Sequence, residues 1–223
     1  MAPGSRASSV TALLIAAAIV AGTGAAVSAH RYDEYLQAAR LAIDPDRVQL
    51  ELDLTPGIAV AEQVLSEIDL DADRSISPAE ARAYSRRVLG IVALDVDGMP
   101  LEVELVDSQL PSIDSVLSGD GTARIRAIAV MPRLADGRHQ LRYRNSFRSD
   151  IGAYLANTLV PDNDRVTVAG QQRDVDQREL TVNYTLRPDP AVRTRSGLSV
   201  GFAGALILLA NVWWRRLRPV HQA

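Results

Sequence analysis

Four acidic residues stand close together in one short segment of the chain. Asp69, Asp71 and Asp73 alternate with other residues, and Glu80 follows seven positions later. Carboxylate oxygens are hard, anionic ligands of the kind that Ca²⁺ and Mg²⁺ prefer. Because these four negative charges repel one another, a bound divalent cation would relieve the repulsion. Their spacing therefore predicts a cation site built from one short segment.

The spacing of the segment 69–80 resembles that of the EF-hand loop, in which oxygen ligands recur at fixed positions. The ligands that this resemblance implies are the side chains of Asp69, Asp71, Asp73, Ser77 and Glu80, together with the backbone carbonyl of Ser75. Ser77 would bind directly or through a water molecule, and Glu80 would bind with both oxygens. Ile76 stands where such loops carry the apolar residue that pairs two hands. The expected ion is Ca²⁺.

One residue departs from the motif. Arg74 occupies the sixth loop position, which is usually glycine because the backbone there needs a positive φ. A residue with a Cβ destabilises that backbone conformation by about 1 kcal/mol. The positive charge of Arg74 also weakens cation binding. The expected affinity is weak, at a Kd of around 10⁻⁴ to 10⁻³ M. The alternative is a degenerate loop that binds no ion and has only a structural role.

Helical patterns flank the loop. Ile58, Ala61, Leu65 and Ile68 recur at helical spacing and form one apolar face. After the loop, Ser77-Pro78-Ala79-Glu80 has the residues of a capping box, with proline at the first helical position. Residues 58–90 therefore predict a helix–loop–helix insertion.

The rest of the segment 30–192 alternates between apolar and polar residues, as strands do. The predicted strands are 34–43, 48–54, 91–96, 101–106, 123–131, 140–145, 154–160, 165–169 and 179–186. Turn residues join the first pair at 44–47, and Asp97-Gly98-Met99-Pro100 predicts a hairpin between 91–96 and 101–106. We expect a mainly β domain, an Ig-like sandwich, that carries the helical insertion.

The two ends of the chain have membrane signals. Residues 1–29 combine Arg6, an apolar run and a small-residue cleavage pattern that ends at Ala29, which predicts a secretory signal peptide. Residues 197–214 are uncharged and just long enough to span a bilayer, and a cluster of arginines follows them. The expected arrangement is a domain at 30–192 outside the cytoplasm of a bacterial cell, with 193–223 forming one transmembrane helix and a basic cytoplasmic stub.

Composition excludes several function classes. The chain of 223 residues has no Cys, and its basic residues are all Arg. Disulfides, thiolate catalysis and lysine Schiff bases are therefore excluded. The segment 30–192 holds all 27 acidic residues and 18 of the 24 arginines, a formal charge of −9, which argues against nucleic acid as a partner. No nucleophile–base pair is apparent, so we do not expect an enzyme.

A second metal site is an alternative. Cleavage after Ala29 would make His30 the first residue, and an α-amine with its own imidazole can chelate Cu²⁺. A complete site would need another ligand, such as His139.

Taken together, Ala29-His30, the acidic insertion and Val96-Asp97-Gly98 resemble the extracytoplasmic N-terminal domain found with bacterial nickel/cobalt-type and hydrogenase/urease-accessory-type transporters. The segments 154–161 and 171–174 resemble stretches of uncharacterised bacterial relatives. With one predicted span, the chain departs from a permease and would be a stand-alone version of the accessory domain.

We expect a membrane-anchored calcium-binding protein of accessory or structural role. The bilayer is its partner through 197–214, and a membrane protein is a further expected partner. The alternative function is transition-metal (Ni, Co or Cu) handling at the membrane.

Overall fold

The computed structural model describes residues 32–190. Ten strands make up most of this part of the chain. They are β1 Tyr35–Ile43, β2 Arg47–Pro56, β3 Val92–Val96, β4 Met99–Pro100, β5 Glu104–Gln109, β6 Ala123–Val130, β7 Gly137–Asn145, β8 Gly152–Thr158, β9 Val166–Arg173 and β10 Glu179–Leu186.

The strands form because their apolar residues recur at every second position. In β2, Val48, Leu50, Leu52 and Leu54 all point inward and are at most 1% exposed. The β1–β2 hairpin turns at 44–46, and its register pairs Ile43 with Val48. This confirms the hairpin that the sequence predicts. The register is fixed because a shift by one residue would bring the whole apolar row of β2 into solvent.

The strands form two five-stranded sheets packed together as a sandwich. One sheet has the order β5-β6-β2-β1-β8, and the other has the order β4-β3-β7-β10-β9. Residues of both sheets contribute to one buried hydrophobic core. The prediction of a mainly β sandwich is confirmed. Seven of the eight strand pairs are antiparallel, and β1 and β8 form the parallel pair.

The helical insertion lies between β2 and β3, as predicted, but its first helix is short. A 3₁₀ turn at Ile58–Val60 leads into α1, Ala61–Leu65. The second helix, α2, runs over Pro78–Leu89 and packs beside β5. Of the four predicted apolar positions, Ala61, Leu65 and Ile68 are buried, so burial rather than helical length accounts for most of the periodic pattern. Ile58 is 48% exposed, so its predicted place on the buried face is wrong.

One further local prediction is wrong, and one short helix was not predicted. The hairpin after β3 turns at Asp97-Gly98, where both residues have positive φ, but its second strand is only the two-residue β4. One further bond, from the Leu101 N–H to the Leu94 carbonyl at 2.8 Å, extends this pairing, and the chain then crosses to the other sheet, where β5 pairs with β6. A third helix, α3 at Ile113–Leu117, was not predicted, although Ser112 caps it.

The strands define two opposite ends of the sandwich. At the loop end, the insertion 57–91 lies with the turns 146–151 and 174–178. At the tail end, β10 finishes at Leu186 beside the connections 44–46, 131–136 and 159–165. Within residues 32–190, no helix has the length and apolar character needed to cross a bilayer. The predicted leader, His30 and the predicted span at 197–214 lie outside the described residues.

Candidate metal-binding loop

The structure brings three of the predicted ligands together. Asp69, Asp71 and Asp73 each offer a carboxylate oxygen, and these oxygens lie within 4.8 Å of one another. Asp69 is half-buried, and the other two are exposed. The three groups could hold a metal ion. They lie in the loop between α1 and α2, at the loop end of the sandwich.

Backbone N–H groups of the loop hold these carboxylates in place. Asp69 accepts hydrogen bonds at one oxygen from the N–H of Asp73 (3.2 Å) and at the other from the N–H of Arg74 (3.0 Å). Asp71 also accepts from Asp73 at 3.2 Å, and Asp73 accepts from Ser75 at 2.8 Å. Each aspartate thereby folds the chain back on itself, and this brings the carboxylates together despite their like charge.

The backbone at the sixth loop position is left-handed. Arg74 has φ of 63°, and Ala72, two residues earlier, has φ of 56°. Only glycine adopts this conformation without strain, so the loop keeps the turn geometry of the motif although it lacks the glycine. The predicted positive φ at Arg74 is confirmed.

Glu80 is not part of the three-aspartate group, and it links the two ends of the loop. One of its oxygens accepts a hydrogen bond from the N–H of Leu70 at 2.8 Å, and the other accepts from the N–H and the hydroxyl of Ser77, at 2.9 and 2.8 Å. Ser77 in turn caps α2, so the predicted capping box is confirmed. The hydrogen bonds from the Ser77 N–H and hydroxyl, with that from Leu70, lower the pKa of Glu80 and keep it ionised. Ser75 contributes its N–H to the loop; whether its carbonyl binds an ion stays a prediction.

Ile76 packs inward, against the chain's own core. It contacts the small buried cluster of Ala61, Leu65 and Val116, and also the main core. Val116 belongs to α3, the helix that the sequence analysis missed. This short helix therefore covers the apolar side of the loop, the place that a second hand occupies when such loops pair.

A polar cluster fixes the insertion to the sandwich. Glu67, two residues before Asp69, forms ion pairs with Arg87 of α2 (3.3 Å) and with Arg148 of the turn 146–151. The Arg148 side chain is only 13% exposed and also pairs with Asp150 at 2.8 Å. Sequence reasoning missed this cluster because 81 positions separate Glu67 from Arg148, and neither residue has a local signature.

His139 lies far from the acidic loop and already has two partners. Its Nδ1 lies 2.7 Å from a carboxylate oxygen of Asp97, and its Nε2 lies 2.7 Å from the carbonyl oxygen of Ala135. Both ring nitrogens face acceptors, so both donate in the imidazolium form. Burial acts to lower the pKa of His139, but the bonds to Asp97 and Ala135 outweigh it, and the pKa is raised from its ordinary value of 6.5. In this arrangement neither nitrogen is available to a metal.

This geometry predicts a pH dependence of stability. The folded chain binds the His139 proton more tightly than the unfolded chain does, so the stabilisation is complete below the unfolded pKa of about 6.5 and is lost as pH rises through the higher folded pKa. We expect the free energy of unfolding to fall over this range in the parent chain. His139→Gln should remove that fall, as measured by urea unfolding at a series of pH values. Identical pH profiles for parent and variant would contradict the prediction.

Comparison with protein-family models, curated proteins and solved structures finds no match to the chain.

Proposed function

We propose that the chain is a membrane-anchored protein whose exported domain binds Ca²⁺ through the loop 69–80 and serves an accessory or structural role. The observation that carries this proposal is the cluster of Asp69, Asp71 and Asp73, whose carboxylate oxygens lie within 4.8 Å of one another. The signal peptide, the span at 197–214, the location in a bacterial cell membrane and the Ig-like character of the sandwich are part of the proposal. They rest on the sequence patterns described above.

The chemistry of the donors favours a hard divalent cation. The three aspartates would hold the ion, with Glu80 completing the site from the first turn of α2 and with Ser77 and the Ser75 carbonyl as further oxygen ligands. All of these ligands are oxygen atoms, which suits Ca²⁺ better than softer transition metals. A bound ion would neutralise clustered negative charge and tie the start of the loop to α2.

The packing around the loop favours a stabilising ion over a switch. Sensor hands expose an apolar groove when they bind Ca²⁺. In this chain, α3 and the core already cover the apolar side of the loop through Ile76, and Glu67 is held by Arg87 and Arg148. Opening the helix pair would break these contacts. Binding is therefore proposed to stabilise the existing fold.

The alternative function is accessory handling of Ni, Co or Cu at the membrane. The resemblance to transporter-associated domains motivates it, and His30 is its candidate ligand. Among the described residues, the single histidine is His139, and its ring is engaged by Asp97 and Ala135. The acidic loop therefore supports calcium binding better than it supports transition-metal handling.

A titration with matched variants at Arg74 tests the proposal. We expect the full chain in detergent to bind Ca²⁺ with a Kd of around 10⁻⁴ to 10⁻³ M, as measured by isothermal titration calorimetry. Binding of Ni²⁺ or Cu²⁺ at this loop should be weaker. Arg74→Gly should tighten Ca²⁺ binding severalfold, because it removes a repelling charge and relieves the strained φ of 63°.

Arg74→Gln serves as the matched control, since it removes the charge but keeps the side chain and its strain. It should tighten binding less than Arg74→Gly does. If neither the parent chain nor Arg74→Gly binds Ca²⁺, the loop is a structural relic and the proposed function is wrong.

A further inference from the structure

We propose that the tail end of the sandwich rests against the surface of the lipid bilayer and that the acidic loop points away from it. This inference rests on the proposed membrane anchor, since it takes the segment 197–214 as the span. The inference adds an orientation of the domain relative to the bilayer. It also adds a contact between the surface of the domain and the lipid, which the anchor alone does not require.

The exit of the chain places the bilayer near the tail end. The described residues finish at Pro190, just after β10. Six residues, 191–196, separate Pro190 from the start of the apolar segment at Gly197. Even fully extended, this connection reaches about 25 Å. The eight residues of β10 span about 26 Å at 3.3 Å per residue, so the loop end lies a full strand length farther than the tail end from the point where the described chain finishes.

The tail end exposes aliphatic side chains that suit such a contact. Val130 is 68% exposed, Leu159 is 41% exposed and Val160 is 89% exposed. Val130 ends β6 opposite Arg47, and the N–H of Leu159, just after β8, donates to the carbonyl of Leu41 at 2.8 Å. Both positions therefore lie at the tail end of the same sheet, with β2 and β1 between them.

The loop end also exposes apolar side chains, such as Leu70 and Val175, so it is the exit of the chain that selects the tail end. With that end held down, Val130, Leu159 and Val160 face the bilayer interface, where burial of aliphatic surface is favourable.

Many of the acidic groups at this end are compensated. Asp46 pairs with Arg47 at 2.9 Å, Asp97 pairs with His139, and Arg165 lies 3.8 Å from Asp136 and 3.7 Å from Asp189. Asp162 and Asp164 also lie in this region, so the end has no excess of positive charge. The contact is therefore apolar rather than an attraction to anionic headgroups. At the opposite end, the carboxylates of the acidic loop would lose hydration near lipid.

Two valines at opposite ends provide a matched pair of probes. The chain has no native Cys, so Val160→Cys and Val175→Cys each create one labelling position. Val160 is at the tail end, and Val175 is fully exposed in the β9–β10 turn at the loop end. Each full-length variant carries an environment-sensitive fluorophore and is reconstituted into phosphatidylethanolamine–phosphatidylglycerol vesicles that contain a headgroup spin-labelled lipid as quencher.

We expect the label at position 160 to be quenched severalfold more strongly than the label at position 175. Adding Val130→Asp and Leu159→Asp to the Val160→Cys variant should weaken the quenching, while circular dichroism confirms that the fold is kept. Equal quenching at the two positions, or stronger quenching at 175, overturns the orientation. Failure of the chain to float with the vesicles overturns the anchor and this inference together, whereas the calcium titration in detergent is independent of both.

Discussion

Replacing Glu80 with Gln is expected to abolish the rise in melting temperature that Ca²⁺ gives to the parent chain. Ligand at about 100 times its Kd stabilises a folded protein by roughly 2.7 kcal/mol, which corresponds to about 5–10 °C for a domain of this size. Glu80 would supply two ligand oxygens and is the one proposed ligand on a helix. Its loss should therefore remove that gain. Circular dichroism melts with and without Ca²⁺, at matched ionic strength, measure the effect.

The same substitution should leave the ion-free fold nearly intact. Glutamine can fill the same position in the capping box with Ser77 because its side-chain oxygen still accepts the Ser77 N–H. The Leu70 N–H loses its carboxylate acceptor, but Leu70 is exposed, so water can take that place. Glu62→Gln in α1 is the matched control, since it removes an exposed carboxylate close in sequence but outside the loop. The control should keep the full calcium response. A full response in Glu80→Gln would show that Glu80 is not a ligand.

The local features of the loop could be predicted from the sequence because they depend on neighbouring residues. The capping box of Ser77 and Glu80, the left-handed backbone at Arg74 and the grouping of three aspartates are all formed within twelve positions. The alternation of apolar residues likewise predicted the β1–β2 hairpin and the sandwich, because burial of one strand face needs no knowledge of the partner sheet.

The contacts that attach the loop to the sandwich could not be predicted in this way. Ile76 meets Val116 and Glu67 meets Arg148 only after the sheets have formed, and no periodic pattern links residues so far apart. The short helix α3 had a local signal in Ser112, but five residues give too few apolar positions to define a helical face. The path of the chain after β4 was missed because Leu101, Val103 and Leu105 alternate like a strand, although only part of that segment pairs.

Tyr84 is the residue of α2 whose replacement should most destabilise the attachment of the insertion. It is 2% exposed, its hydroxyl is hydrogen-bonded to that of Tyr35, and its ring meets Phe147 edge-on at 5.9 Å between centroids. Burial raises the pKa of Tyr84 to about 12, so the hydroxyl stays neutral. Tyr84→Ala should cost about 3–5 kcal/mol, as large aromatic deletions from a core do, and lower the melting temperature by roughly 10 °C.

Arg82→Ala is the control for Tyr84→Ala, because Arg82 is exposed on the same helix and its loss should change stability by less than about 0.5 kcal/mol. Equal effects of the two substitutions on urea unfolding would mean that α2 is not held to the sandwich through Tyr84.

The hydroxyl pair allows a stricter version of the same test. Tyr84→Phe leaves the buried hydroxyl of Tyr35 without its partner, and Tyr35→Phe does the same to Tyr84, so each single variant should lose about 1–3 kcal/mol. The double variant removes both polar groups and leaves nothing unsatisfied between the rings. We therefore expect it to be more stable than the sum of the single losses predicts, with a coupling of at least about 0.5 kcal/mol in a double-mutant cycle. Strictly additive losses would show that the two hydroxyls do not depend on each other, and Tyr84 would then contribute to the attachment of α2 through the packing of its ring.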